Sequence, residues 1–266
     1  MKVFVINLDK DRARWASVEA QLQHAGLDFQ RIPAILGRDL TPQERASHYS
    51  PLKSSWRQAR ELTPAEIGCA LSHLTAYREI SMRGFSHALI LEDDVVLKDE
   101  FAELLDALAS QMPPEDPLVC LLSPAEVDMA AEPFPLVGRY VIQKYKSGYY
   151  ASSYVLTRVA AEYLLGELHP VGDVADCWAR LHCDGGLKLM AVTPPAVTQN
   201  QAVFGSSTTE DICAAFGVSP AYKLIYRLRR VRNILLGRVL EHRWKRQAKV
   251  VGPHASHPID TLVGRQ

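Results

Sequence analysis

An α/β fold with a mostly parallel sheet flanked by helices is predicted by three observations. Strand-like and helix-like segments alternate along the chain as far as Val192, the order that builds parallel sheets with crossover helices. Two runs, HALIL before Glu92 and PLVCLL from Pro117 to Leu122, are apolar at successive positions, so both faces of the pleat need cover. Between the early strands, Thr63-Pro64-Ala65-Glu66 joins a capping hydroxyl, a proline at the first helical position and a glutamate that reaches back to the cap.

The elements follow in order. Val3 to Leu8 is a short β-rich run, and Trp15, Val18 and Leu22 recur at helical spacing before Gly26 stops the helix. Phe29 to Ile35 is a second strand. Gly37 to Arg60, with Pro42, Pro51 and many polar residues, is expected to be an irregular excursion. A helix then runs from the Thr63 cap to about Arg83, ended by Gly84, and the HALIL strand leads to Glu92. Phe101 to Met112 is helical, PLVCLL a buried strand and Arg139 to Tyr145 an alternating one. Arg158 to Leu168 is a helix and Leu187 to Val192 a last strand.

The 266 residues suffice for a sizeable core and suggest one domain, or one domain with an appendage. No run approaches the ~20 apolar residues of a membrane-spanning helix, and charge interrupts MKVFVINLDKDR before a signal-peptide core forms; the expectation is a cytoplasmic location. The five cysteines include no CxxC pair, which argues against a disulfide framework or a zinc knuckle and for free, mostly buried thiols. The net charge of zero hides an asymmetry: Tyr222 to Lys249 holds ten Lys and Arg against Glu241 alone. Leu224, Leu228, Val231, Leu235 and Val239 recur there at helical spacing among arginines, the pattern of an amphipathic helix on an anionic membrane surface. No recognition motif accompanies the charge and the body is acidic, so nucleic acid is not expected as a partner. The division is a domain over residues 1–221 and a basic tail over 222–266.

Three consecutive carboxylates, Glu92, Asp93 and Asp94, follow the most apolar strand. Ligands of open α/β sheets gather outside the carboxyl ends of the strands. Adjacent carboxylates repel and raise one another's pKa unless a cation or hydrogen-bond donors neutralise them. A hard divalent ion held by one or two carboxylates and by substrate phosphate oxygens would do so. A solvated acidic turn is the competing reading of the triplet.

Four blocks, VINLDKDRARW, LTPAEIGCALSHLTAY, ALILEDDVVL and SSYVLTRVAAEYLL, together resemble glycosyltransferase family 25, which includes lipooligosaccharide galactosyltransferases and is related to collagen galactosyltransferases. The resemblance covers roughly residues 1 to 207. It implies a GT-A-like fold, Rossmann-like in its sheet, and a donor sugar nucleotide, UDP-galactose first and UDP-glucose as the alternative. It also implies Mn²⁺ or Mg²⁺ on Asp94 and Glu92, with Glu92 and Asp93 available to the ribose or donor sugar. Asn7, Leu8, Asp9, Arg12 and Arg14 are implied to hold the nucleotide, while His73, next to Ser72 in the GCALSH block, is implied to orient the donor or the acidic site. In HPVGDVADCW, Gly172 stands where the family pattern places an aspartate after Pro-Val; Asp176 is nominated first and Asp173 second as general base of an inverting transfer, with a helix cap as the alternative for Asp173. Gln199 and the Ser206–Ser207 pair are implied to line the acceptor or diphosphate side. The acceptor implied is a lipooligosaccharide, reached from the cytoplasmic side of the inner membrane. A non-catalytic sugar-nucleotide-binding protein is the alternative from another class.

Overall fold

The computed structural model describes residues 1–58 and 60–200. The basic tail and the Ser206–Ser207 pair lie outside the described residues.

The chain opens with β1 (Lys2–Asn7), α1 (Arg12–His24) and β2 (Phe29–Pro33). A 3-10 turn at Gly37–Asp39 and two short helices, α2 (Pro42–His48) and α3 (Pro51–Gln58), come next. The expected irregular excursion is therefore largely helical. Its first helix starts on Thr41-Pro42-Gln43-Glu44, where Thr41 accepts from the Glu44 amide and Glu44 from the Thr41 amide, the same reciprocal cap as at Thr63.

Helix α4 (Pro64–Arg83) has that cap at Thr63 and Glu66 and ends on Gly84 in the left-handed region, φ 67°. Ile67, Leu74 and Ile80 on it are buried, each worth ~1.5–3 kcal/mol relative to exposure. Then follow β3 (His87–Glu92), β4 (Val95–Leu97), α5 (Phe101–Gln111), β5 (Leu118–Leu121), β6 (Glu126–Val127), β7 (Phe134–Pro135) and β8 (Val141–Ser147). The described chain closes with β9 (Ser153–Thr157), α6 (Arg158–Leu168), α7 (Trp178–Asp184), β10 (Lys188–Thr193) and β11 (Val197–Gln199).

The main sheet has the order β2-β1-β3-β9-β5-β10-β8-β6, with β7 also on β8. The α/β class and the mostly parallel sheet hold: β1, β2, β3, β5 and β10 run in one direction. Strand β9 lies antiparallel between β3 and β5, and β8 antiparallel beside β10. Strand β9 is unmarked in the sequence, because Thr157 is at once its end and the side-chain cap of α6, with no glycine or proline between them.

Successive residues of each central strand feed two cores. Phe4, Ile6, Ile90, Tyr154 and Leu156 pack with α4 and α6 on one face. Val3, Val5, Leu89, Leu91 and Val155 pack with α1 and α5 on the other. The runs read as apolar on both sides of the pleat are thus covered on both sides. Among the described residues no helix is long and apolar enough to cross a membrane.

Candidate active site

The carboxyl ends of β1, β2 and β3 open into a cleft of about 550 Å³, where ligands of open α/β sheets bind. One wall, Ile35 to Arg38, is held against the start of α4 by a near-contact of two glycines. A Cβ on Gly68 would stand 2.4 Å from the Ile35 carbonyl oxygen, and one on Gly37 would stand 1.8 Å from that of Pro64. Neither position tolerates a side chain without moving backbone. Ser72, one turn beyond Gly68, accepts from the Ile35 amide at 2.8 Å and donates to the Gly68 carbonyl at 2.7 Å. Its hydroxyl fixes this wall.

The acidic triplet divides by partner. Asp93 is buried and accepts from Asn7 Nδ2 at 2.6 Å, with Arg14 at 3.4 Å. Asn7 accepts in turn from Arg31 Nε at 2.8 Å, so the last residue of β1 ties the triplet to β2. Burial pushes the Asp93 carboxyl up, against the pull of Asn7 and Arg14. Asp94 faces Gln199, whose amide lies 3.5 Å from both carboxylate oxygens; β4 and β11 pair antiparallel, opposing Gln199 to Val95. Burial and then the Glu92 charge push the Asp94 carboxyl up to about 6. Glu92 lies at the end of β3, 3.3 Å from His73 Nε2 and 3.8 Å from Cys69 Sγ.

Asp176 reaches the same cleft from the loop before α7. Burial and then the Glu92 charge push its carboxyl up to about 7. Six carboxylates (Asp11, Glu66, Glu92, Asp93, Asp94 and Asp176) line the cleft against Lys10, Arg14 and Arg38. Glu66 is already engaged by Arg60 and by the Thr63 cap. The remainder is a strongly acidic floor that favours a cation.

Most of the residues singled out in the sequence meet here: Asn7, Leu8, Arg14, Ser72, Glu92, Asp93, Asp94, Asp176 and Gln199 all line the cleft. Four candidates lie off the cleft wall, His73 among them. Asp9 is exposed and pairs with Arg31 at 2.6 Å. Arg12 is exposed at the start of α1 and absent from the cleft wall. Asp173 is buried away from the cleft, with Arg180 on one carboxylate oxygen and Gln58 on the other. Neither oxygen is available to take a substrate proton. Asp173 caps no helix either: the cap position of α7 is Cys177. Arg180 also holds Glu167 at 2.9 Å and Asp184 at 2.6 Å, so this is a buried structural network. Gly172 lies under the Lys53 stem, whose Cβ would be 2.6 Å from a Cβ at that position, and Lys53 Nζ donates to the Glu167 and Pro170 carbonyls.

His73 is buried and does not line the cleft; it holds Glu92 from behind. The cleft also includes Cys69, Tyr149 and Tyr150, which the sequence reading passed over. Cys69 stands four residues before His73, a helical spacing that puts both on one face. The Tyr149–Tyr150 pair carries no motif, and only its place before β9 brings it to the rim.

The family described as "Glycosyltransferase family 25 (LPS biosynthesis protein)" matches residues 1–178. The chain belongs to glycosyltransferase family 25. Among its relatives, "Procollagen galactosyltransferase 1-B" of Xenopus laevis is 28% identical over 184 residues, 65% of this chain and 30% of that protein. "Inactive glycosyltransferase 25 family member 3" of Mus musculus is 31% identical over 125 residues, 46% of this chain and 20% of the mouse protein. The family 25 chain thus spans less than a third of either relative's length. Among solved structures, a glycosyltransferase involved in glycosylation of the PBCV-1 major capsid aligns over 61% of this chain and 62% of its own, at 13% identity and a TM-score of 0.28.

Proposed function

We propose that the protein is a metal-assisted hexosyltransferase moving galactose from UDP-galactose to a lipooligosaccharide acceptor, with inversion at the anomeric carbon. The carrying observation is the convergence of Asp94, Glu92 and Asp176 on one cleft at the carboxyl ends of β1 and β3. Membership of a family described by LPS biosynthesis supports the acceptor class, and the galactosyltransferase relative of Xenopus laevis supports galactose.

The residues present fit a hard divalent cation. The Asp94 carboxyl is half-buried, carries a raised pKa and lies 3.5 Å from the Gln199 amide, and one or two carboxylates with phosphate oxygens suffice for such an ion. When bound by Asp94 and Glu92, Mn²⁺ or Mg²⁺ supplies neutralisation of the diphosphate leaving group. Arg14 adds positive charge on the same wall. Asn7 fixes Asp93, and Asp93 with Leu8 borders the space for the nucleoside. Asp176 takes the proton of the attacking acceptor hydroxyl as its oxygen bonds to the anomeric carbon and the bond to the diphosphate oxygen breaks. A carboxyl poised near 7 suits that role at neutral pH. The exposed rings of Tyr149 and Tyr150 at the rim suit the acceptor sugar. Residues 222–266 are proposed, on sequence alone, to hold the enzyme on the anionic inner face of the inner membrane.

UDP release from UDP-galactose, with Mn²⁺ and a lipooligosaccharide acceptor, is the test. Asp176→Asn should lower turnover ~100-fold or more while UDP binding persists; equal turnover in the variant would refute the assignment. A panel with UDP-glucose settles the donor. The "inactive" description of the mouse relative favours a second reading, a sugar-nucleotide-binding protein without transfer, for which UDP binds saturably and no acceptor is glycosylated.

A further inference from the structure

Cys69 and His73 leave the same face of α4, and Glu92 completes the group from the end of β3. The sulfur, the imidazole nitrogen and the carboxylate oxygen all lie within 4.8 Å of one another. Two of the three edges are 3.3 Å, nitrogen to oxygen, and 3.8 Å, sulfur to oxygen. Around a tetrahedral Zn²⁺, with bonds of ~2.0 Å to nitrogen and oxygen and ~2.3 Å to sulfur, ligand atoms stand ~3.3–3.5 Å apart. Both edges match within a few tenths of an ångström.

The surroundings suit a metal-bound histidine. His73 Nδ1 is 2.7 Å from the Tyr154 hydroxyl, which is 2.7 Å from that of Tyr77, and all three residues are buried. An outer partner on one ring nitrogen fixes the tautomer and aims the other at the metal.

We propose that Cys69, His73 and Glu92 form a three-ligand site for a zinc-class divalent cation, its open coordination position toward the cleft that Cys69 and Glu92 line. A thiolate with an imidazole selects a borderline-soft ion over Mg²⁺ or Mn²⁺, so this site is distinct in metal preference from the one proposed on Asp94. The two share Glu92, yet the zinc-class site stands on its own geometry and does not require glycosyl transfer. Binding ionises the thiol, whose proton leaves to solvent. With three protein ligands and one open position the site is of the catalytic rather than the closed structural type, able to take a water or a substrate oxygen.

Co²⁺ titration of the metal-stripped full chain is the test, because Co²⁺ bound to a thiolate absorbs in the near ultraviolet. The expected result is one Co²⁺ per chain with that absorption, displaced by Zn²⁺. The absorption should vanish in Cys69→Ser and persist in Asp94→Asn, which separates this site from the one on Asp94. Tyr154→Phe, which removes the outer partner of His73, should weaken Co²⁺ binding ~10–100-fold. No thiolate absorption with the wild-type chain, or undiminished absorption in Cys69→Ser, would overturn the proposal. The wild-type measurement decides the matter even if a variant fails to fold.

Discussion

Asp94 and Asp176 make the metal-free protein less stable as pH rises, and the size of the effect follows from their surroundings. Both carboxyls are raised in the fold, from an ordinary 3.8 to about 6 and about 7. The folded chain therefore keeps protons that the unfolded chain has already lost, and stability falls with pH through this interval. Between about pH 5.5 and about pH 7.5 the change is ~2 kcal/mol for Asp176 and ~0.8 kcal/mol for Asp94, at ~1.4 kcal/mol per pH unit. Because Glu92 raises both, the combined change is smaller than the sum, on the order of 2 kcal/mol. For a chain of this length that lowers the melting temperature by ~4–8 °C. His169 and His182, whose pKa values burial lowers, contribute with the opposite sign in the same window, so the measured quantity is the difference between wild type and Asp176→Asn. Thermal melts at the two pH values in chelator should show the variant losing less stability than wild type. Mn²⁺ should restore more at the higher pH, where the carboxylates are ionised. An Asp176→Asn slope identical to wild type would refute the placement of a raised carboxyl at that position.

Further outcomes follow from the same geometry. Asp173→Asn should destabilise the fold by ~3–5 kcal/mol by leaving Arg180 short of its buried partner, measured by chemical denaturation, while the folded fraction keeps its turnover; a selective turnover loss with unchanged stability would restore Asp173 as a base. Gly68→Ala should cost ~1–3 kcal/mol and also weaken UDP binding by calorimetry, because the Cβ strikes the Ile35 carbonyl that shapes the cleft wall. Thr63→Ala should cost ~1 kcal/mol in a denaturation midpoint and leave UDP affinity nearly unchanged, since Thr63 itself does not line the cleft. Asn7→Leu leaves Asp93 without its 2.6 Å donor, and a loss of ~1–3 kcal/mol is expected, growing as pH rises above the Asp93 pKa.

What the sequence disclosed depended on whether the signal was local. The Thr63–Glu66 cap and Gly84 bracket α4 to the residue, because both act within one turn. The same cap at Thr41–Glu44 went unread among prolines and polar residues, where no apolar stripe marks a helix. Strand β9 was missed because an antiparallel insertion between two parallel strands leaves no trace in a pattern of alternating elements. At the site, Asp176 and Asp173 look equivalent in sequence, two aspartates three positions apart. Only the fold separates them, by bringing Arg180 and Gln58 to one and the open cleft to the other. The pairing of Gln199 with Asp94 spans 105 positions and rests on the short β4–β11 ladder, which nothing local announces.

The reversed direction of β9 has a consequence for how such a cleft diversifies. Its first residues lie where its neighbours end: Ser153 is paired with Leu91, and the Glu92 amide donates to the Ser152 carbonyl. A parallel strand in that place would send its entry loop to the far side of the molecule. Here the entry segment, Tyr149 to Ser152, lies on the cleft side, while the lining residues Asn7, Leu8, Lys10, Asp11, Arg14 and Ile35 to Arg38 come from a distant part of the chain. Lengthening or recomposing the turn before β9 can therefore reshape one side of the cleft without disturbing the residues that line the other. One inverted strand makes the two sides of the cleft separately adjustable.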